Sequence, residues 1–318
     1  MKYSKSLKIA VSGSLAYDQI MDFPGRFSDH ILPNEIHNLN LSFFLSGLRR
    51  SFGGTAGNIA YNLTLLEEKP IILGVAGFDF GDYQTWLKKI GADLSYIKMV
   101  SLDRTATAYI ITDQADNQIA AFYPGARPKD YARRARSLKD LDLAIISADD
   151  KQRMLDYASA YQVNHIPYIF DPGQALIAFS ATELKKAIKG AKVLIGNDYE
   201  IKLMADKMKI AQAKLINMVE ILVITLGAKG SEIYSAGKKI IIKPAKPKNT
   251  SDPTGAGDAY RAGLIKGLIK GYNLKVCGQL ASVVSVYTVE KFGTQTHKFT
   301  LAELKKRYYQ NYKEKLII

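Results

Sequence analysis

Apolar runs too short to be helices recur along this chain, and most are followed by a stretch with helical periodicity. Lys8–Ser12, Ile71–Val75, Leu143–Ser147, Tyr168–Phe170, Val193–Ile195 and Leu222–Thr225 read as strands. Among them Asn58–Leu66, Tyr83–Ile90, Gln152–Tyr161, Ala181–Ile188 and Tyr199–Met208 carry helical spacing. Strands that are apolar throughout and separated by helices belong to a parallel sheet covered on both faces. One region breaks the alternation. Thr105–Thr112 and Gln118–Phe122 flank a polar turn and predict a β-hairpin. With Asp18–Asp22 and His37–Phe44 they predict a small accessory sheet outside the main one. No repeat, low-complexity tract or linker divides the 318 residues, so the expectation is one α/β domain with a β-flap.

Several classes fall away on composition. The one cysteine, Cys277, excludes internal disulfides and cysteine-cluster metal sites and suits a reducing cytosol, with an inert buried thiol expected. The start, MKYSKSLKIAVSGSLAYD, has lysines before an apolar run, as a signal peptide does. Ser12, Gly13 and Ser14 interrupt that run, which reads better as a first strand. No apolar stretch is long enough to span a bilayer. The net charge of +14 is spread along helix faces such as Glu183-Leu184-Lys185-Lys186 and Glu303-Leu304-Lys305-Lys306. The densest cluster, Arg133, Arg134 and Arg136, has no interleaved aromatics and matches no nucleic-acid module. A cytoplasmic protein binding anionic small molecules, with neither nucleic acid nor membrane as partner, is the expectation.

The familiar catalytic loops are missing: no GxxxxGK[ST], GxGxxG after the first strand, HExxH or GxSxG occurs. His30, His37, His165 and His297 lack metal-ligand spacing. Four other stretches can carry chemistry. In Gly255-Ala256-Gly257-Asp258, three small residues open a helical pattern, and bare N–H groups at a helix start bind anions. A carboxylate facing such a site needs a task, and taking a proton from a hydroxyl that attacks phosphorus is one. An aspartate N-cap after a tight turn is the other reading. Thr225-Leu226-Gly227-Ala228-Lys229-Gly230 follows a strand, where glycines admit a ligand to the sheet crevice or form a plain turn. Asn197-Asp198-Tyr199-Glu200 follows another strand and suits water-mediated Mg2+ contact or helix capping. Gly53-Gly54-Thr55-Ala56-Gly57-Asn58 again sets small residues at a helix start, and Asp18 could accept two hydrogen bonds from a sugar diol.

The order of these stretches resembles the ribokinase family, also called the PfkB carbohydrate kinase family. A glycine pair before a helix is followed by NxxE, TxGxxG and D-x-x-GAGD-x-x-x-AG, and DPTGAGDAYRAGLI matches the family's C-terminal signature throughout. Within the family, GSLAYDQIMDFPGRFSDHILP, LSFFL, FGGTAGNIAYNL, AGFDFGDY and AFYPGA resemble bacterial adenosine kinases of the ribokinase type. The resemblance implies a three-layer α/β/α fold over residues 1–318, with a discontinuous β-lid from about 15–23, 37–50 and 104–124 that relatives often use to dimerise. It implies transfer of the ATP γ-phosphoryl to a primary hydroxyl, with Mg2+ and commonly stimulation by K+. By this resemblance Asp258 is the base, and Gly255, Ala256 and Gly257 form the anion hole. Asp18 grips the ribose diol beside Ser14, Gly54 and Asn58. Phe122 stacks on the base, and Gln174 contacts ribose or base. Thr225, Gly227 and Gly230 belong to the nucleotide region, and Asn197 and Glu200 are metal-linked through water. Two positions depart from those adenosine kinases: Ala108 stands on the lid strand where they carry a second aromatic, and Ala175 follows Gln174 where they carry another glutamine.

The function expected is phosphorylation of the adenosine 5′-hydroxyl to give AMP. A kinase for ribose, fructose or another nucleoside such as inosine or guanosine is the same-family alternative. A silent nucleoside- or sugar-binding protein is the other, although it has no use for a base beside an anion nest.

Overall fold

The computed structural model describes residues 7–31, 41–115, 117–128, 131 and 137–317. Arg133, Arg134, Arg136, His37 and the rest of 37–40 lie outside the described residues. The strands are β1 (Ile9–Ser12), β2 (Ala16–Asp22), β3 (Gly47–Gly53), β4 (Ile71–Gly77), β5 (Asp93–Val100), β6 (Ala106–Thr112), β7 (Gln118–Tyr123), β8 (Leu143–Ile146), β9 (Tyr168–Phe170), β10 (Val193–Asn197), β11 (Ile221–Thr225), β12 (Ser231–Ser235) and β13 (Lys238–Ile242). The helices are α1 (Thr55–Leu65), α2 (Gly81–Lys89), α3 (Lys151–Val163), α4 (Ala181–Lys189), α5 (Asp198–Met208), α6 (Gln212–Ile216), α7 (Ala256–Ile269), α8 (Leu274–Val289) and α9 (Leu301–Tyr312).

Nine strands form the large sheet in the order β13-β12-β11-β10-β9-β8-β1-β4-β5. All pairings are parallel except β11 with β12 and β12 with β13. Alternate residues of one strand feed opposite layers. Ile9, Val11, Leu143 and Ile145 pack into one core, and Ala10, Ala144 and Ile146 into the other. This is why the strands read as continuous apolar runs. The order runs outward from β1 in both directions, so β1 and β8 diverge into helices on opposite sides. Their carboxyl ends open a crevice, the place where open α/β sheets bind ligands.

The second sheet has four strands, β3-β2-β6-β7. Strand β2 pairs antiparallel with β3 and parallel with β6, and β6 pairs antiparallel with β7. In this register Asp18, Ala108 and Phe122 are direct neighbours across three strands, so they share one face. Of the stretch His37–Phe44 that was expected to supply a strand here, the described residues 41–44 are not a strand, and Gly47–Gly53 pairs with β2. Phe43 is used elsewhere, packed against the rings of Phe23 and Phe27 at 4.7 and 5.3 Å. Strands β5, β12 and β13 are additions to the sequence reading.

Helices α7 and α8 pack with almost no gap. A Cβ at Gly263 would fall 2.6 Å from Ala281 Cα, and one at Gly267 would fall 2.8 Å from Cys277 Sγ. Cys277 is fully buried, and burial pushes its thiol up to about 12. Among the described residues no helix is long and apolar enough to cross a membrane.

Candidate active site

Neighbouring parallel strands deliver their carboxyl ends to one cavity of about 420 Å3. Ser14 follows β1, Ala148 follows β8, Asp171 follows β9, and Asn197 and Thr225 end β10 and β11. The small sheet contributes Asp18, Ala108 and Phe122 from above, and α1 contributes Thr55 and Asn58 behind Gly54. Gly255, Gly257 and Asp258 enter at the start of α7, and Gln174 and Glu200 also line the cavity. Twelve of the fifteen residues singled out in the sequence thus line one cavity. Ala256, Gly227 and Gly230 do not.

The glycine pair before α1 has two separate causes. A Cβ at Gly53 would lie 2.4 Å from Asp18 Oδ2, so this glycine leaves room for the carboxylate. Gly54 has φ +83°, and its Cβ would meet Ser14 O at 2.5 Å. It lets the chain turn sharply from β3 into α1 against the end of β1. Burial, and then the negative charge of Asp252, push Asp18 up to about 6.

The α7 start settles one alternative. Its N-cap is Gly255, at φ +77°, with no side-chain cap, so Asp258 stands a turn inside the helix and is not the cap. Its Oδ2 instead accepts from Asn58 Nδ2 at 2.8 Å. The first N–H groups of any helix lack intrahelical acceptors. Here Ala256 N–H is taken by Pro253 O at 3.2 Å, which removes Ala256 from the expected anion hole and leaves Gly257 and Asp258 to supply bare first-turn N–H groups.

Asn58 is held in one orientation. Its Oδ1 accepts from Thr294 Oγ1 at 2.7 Å and Gln295 Nε2 at 3.0 Å, which forces Nδ2 toward Asp258. Gln295 is itself fixed: its Nε2 also reaches Tyr83 Oη at 2.6 Å, and its Oε1 accepts from Trp86 Nε1 at 2.9 Å. Tyr83 Oη donates onward to Gly53 O at 2.8 Å. A buried amide with every group satisfied costs little and specifies geometry. Burial raises the Asp258 carboxyl to about 7; the Asn58 hydrogen bond and the Arg261 charge oppose that rise, and the charges of Asp171 and Asp18 add to it. A base that titrates near neutrality suits proton transfer at physiological pH.

The profile of the pfkB family of carbohydrate kinases matches residues 16–300. The chain belongs to that family. Its relatives include a nucleoside kinase of Methanocaldococcus jannaschii, 32% identical over 81% of this chain and 85% of that protein. One from Methanothermobacter thermautotrophicus is 33% identical over 86% and 90%. A solved structure of Burkholderia thailandensis nucleoside kinase in complex with inosine superposes with a TM-score of 0.88 at 34% identity, covering 97% of this chain and 100% of that one. This pfkB kinase therefore has the ribokinase-like fold and performs ATP-dependent phosphoryl transfer to an alcohol.

The remaining expected residues of the kinase have mixed duties. Asn197 caps α5, its Oδ1 accepting from Glu200 N while Glu200 Oε2 accepts from Asn197 N, both at 2.8 Å. The capping reading of this pair thus holds, and both side chains also line the cavity. Gly230 has φ +95°, and its Cβ would strike Ile242 O at 2.1 Å. That glycine is required for β12 to start beside β13. Gly227, at φ +56°, turns the chain in open space.

Two charged cavity residues of the kinase escaped the sequence reading. Asp171 is the second residue of FDPGQ, three residues before Gln174, and Arg261 lies three residues after Asp258. They form a buried bidentate pair, Nε to Oδ2 and Nη2 to Oδ1, each 2.6 Å. Helical spacing alone places Arg261 on the face of Asp258. Nothing in the sequence ties either to Asp171.

Proposed function

We propose that this kinase phosphorylates the 5′-hydroxyl of a purine nucleoside, with adenosine as acceptor. The observation that carries the reading is the shared face of Asp18, Ala108 and Phe122, lining the same cavity as Asp258. Asp18 offers two acceptor oxygens to a ribose diol. Ala108 is small and leaves the space beside it open. Phe122, 59% exposed, presents an aromatic surface for the base to stack on. Gln174 adds an amide at the same end, next to Ala175.

In this reading Asp258 takes the proton of the attacking hydroxyl, with Asn58 Nδ2 holding the carboxylate in place. The Gly257 and Asp258 N–H groups, at the positive end of α7, receive phosphate oxygens. Among the described residues no group of three or more His, Cys, Asp or Glu could cage a metal. Glu200 spends one carboxylate oxygen on Asn197 and keeps the other for a metal-bound water. That donor set fits Mg2+ arriving with its nucleotide, which neutralises phosphate charge when bound.

A second reading, inosine or guanosine as acceptor, is favoured by the inosine bound to the B. thailandensis relative. Pairing of two copies through the small sheet is supported by Leu48, Tyr109 and Ile119, exposed on the face away from Asp18. ADP release across adenosine, inosine, guanosine, ribose and fructose, with Mg2+ and with or without K+, tests the assignment. Nucleosides should show the higher kcat/KM. A preference for ribose or fructose would replace this reading with a sugar kinase.

A further inference from the structure

Four carboxylates line the cavity, Asp18, Asp171, Glu200 and Asp258, against one cation among the described residues, Arg261. Arg261 is 7% exposed. Its Nε and Nη2 grip both oxygens of Asp171, and Nη1 donates to Gly257 O at 3.0 Å. The guanidinium therefore ties the carboxyl end of β9 to the first turn of α7. Gly257 makes room for it, since a Cβ there would stand 2.9 Å from Nη1. A buried ion pair is a poor source of net stability, because apolar residues of the same volume usually do as well. Its place at the phosphate end of the cavity calls for another explanation.

We propose that Arg261, held by Asp171, is a positioning residue for phosphoryl transfer: its fixed charge keeps the Asp258 carboxylate ready to accept a proton, and its hydrogen bonds lock the first turn of α7 where phosphate is received. This rests on the reading of Asp258 as the base. The groups facing Asp258 are Asn58 from α1, Asp18 from β2, Asp171 after β9, Tyr83 from α2 and Arg261 from its own helix. Glu200 of α5 acts on Arg261. Arg261 and Asp171 push the Asp258 titration in opposite directions, Arg261 downward and Asp171 upward. A residue that merely held the helix would produce no such opposition.

The test is the single-turnover rate of phosphoryl transfer from about pH 5 to pH 9 for wild type, Arg261→Met, Arg261→Lys and Asp171→Asn, with Asp258→Asn alongside. Losing a nearby opposite charge moves a carboxylate by about one to three pH units. Arg261→Met should carry the acid limb upward by that amount and cut the rate at about pH 7 by roughly fivefold or more, with nucleoside KM nearly unchanged. Asp171→Asn should carry the limb downward, and Arg261→Lys, which keeps the charge, should leave it close to wild type. Limbs that stay in place, or move the same way in Arg261→Met and Asp171→Asn, overturn the inference. If Arg261→Met does not fold, the near-isosteric Asp171→Asn decides by direction: downward supports the proposal, unmoved or upward overturns it. An active Asp258→Asn overturns the base assignment and this inference with it. An inactive Asp258→Asn with unmoved limbs in the other variants overturns this inference alone.

Discussion

Replacing Asp258 with asparagine should abolish turnover and strengthen the fold at the same time, and pH separates the two effects. Burial lifts the carboxyl from 3.8 to about 7. The folded protein therefore keeps its proton up to about pH 7, while the unfolded chain gives it up near pH 4. For a raised carboxyl the stability is full at low pH, drains away as pH climbs between those values, and is flat above. The interval corresponds to about 4 kcal/mol, and contact with cavity solvent reduces this to about 2 kcal/mol. Asparagine keeps the shape and an oxygen for Asn58 Nδ2, now at 2.8 Å, but carries no charge to bury. Urea unfolding at about pH 8 should thus show the variant more stable by about 2 kcal/mol, with the gain vanishing at about pH 4. Turnover should fall by about 10²- to 10⁴-fold, the usual cost of a lost general base. A variant less stable than wild type at the alkaline pH, or equally stabilised at both, would refute the strained-carboxylate account. Near wild-type kcat would remove Asp258 from the chemistry.

Three further outcomes can be checked. Phe122→Ala should raise the KM for adenosine about ten- to a hundredfold, from a stacking contribution of about 1–3 kcal/mol, and leave ribose unaffected; equal effects on both would deny the base-stacking role. Gly257→Val should yield a folded protein unable to transfer phosphate, because its Cβ would lie 2.9 Å from Arg261 Nη1; unchanged ATP turnover would reduce the nest to a turn. Gln295→Leu removes a donor to Asn58 and an acceptor for Trp86, so kcat should drop about tenfold and stability by about 1–3 kcal/mol. Retained kcat there would mean that Thr294 alone orients Asn58.

Legibility followed burial. The strands β1, β4, β8, β9, β10 and β11 are buried on both faces, so their apolar runs announced themselves. Strand β13 opens with Lys238 and Lys239 and is exposed over most of its length, and β3 carries Arg49 and Arg50 in place of a continuous apolar run. Strand β3 is made by its pairing with β2, while the more apolar LSFFL stretch places Phe43 in an aromatic cluster. The cavity residues at the start of α7 were readable because a bare helix start is a local feature. Arg261 sat in the same motif and could have been found from its spacing to Asp258. Asp171 lies 90 residues from Arg261, and Thr294 and Gln295 lie 236 and 237 residues from Asn58. Those contacts are products of topology, and no short-range pattern encodes them.

The glycine-lined seam between α7 and α8 divides the enzyme into parts with different freedom to change. With Ala281 and Cys277 pressed against Gly263 and Gly267, no side chain fits between α7 and α8, and the groups that α7 brings to the cavity are built into the frame. The face proposed for the acceptor is mounted differently. Asp18, Ala108 and Phe122 sit on a separate four-stranded sheet, whose returns to the main body pass through Gly54 and Gly125 at φ +83° and +69°. Retargeting this kinase to a new acceptor is therefore a problem in a few side chains of one small sheet. Giving it a new reaction would mean recutting the seam.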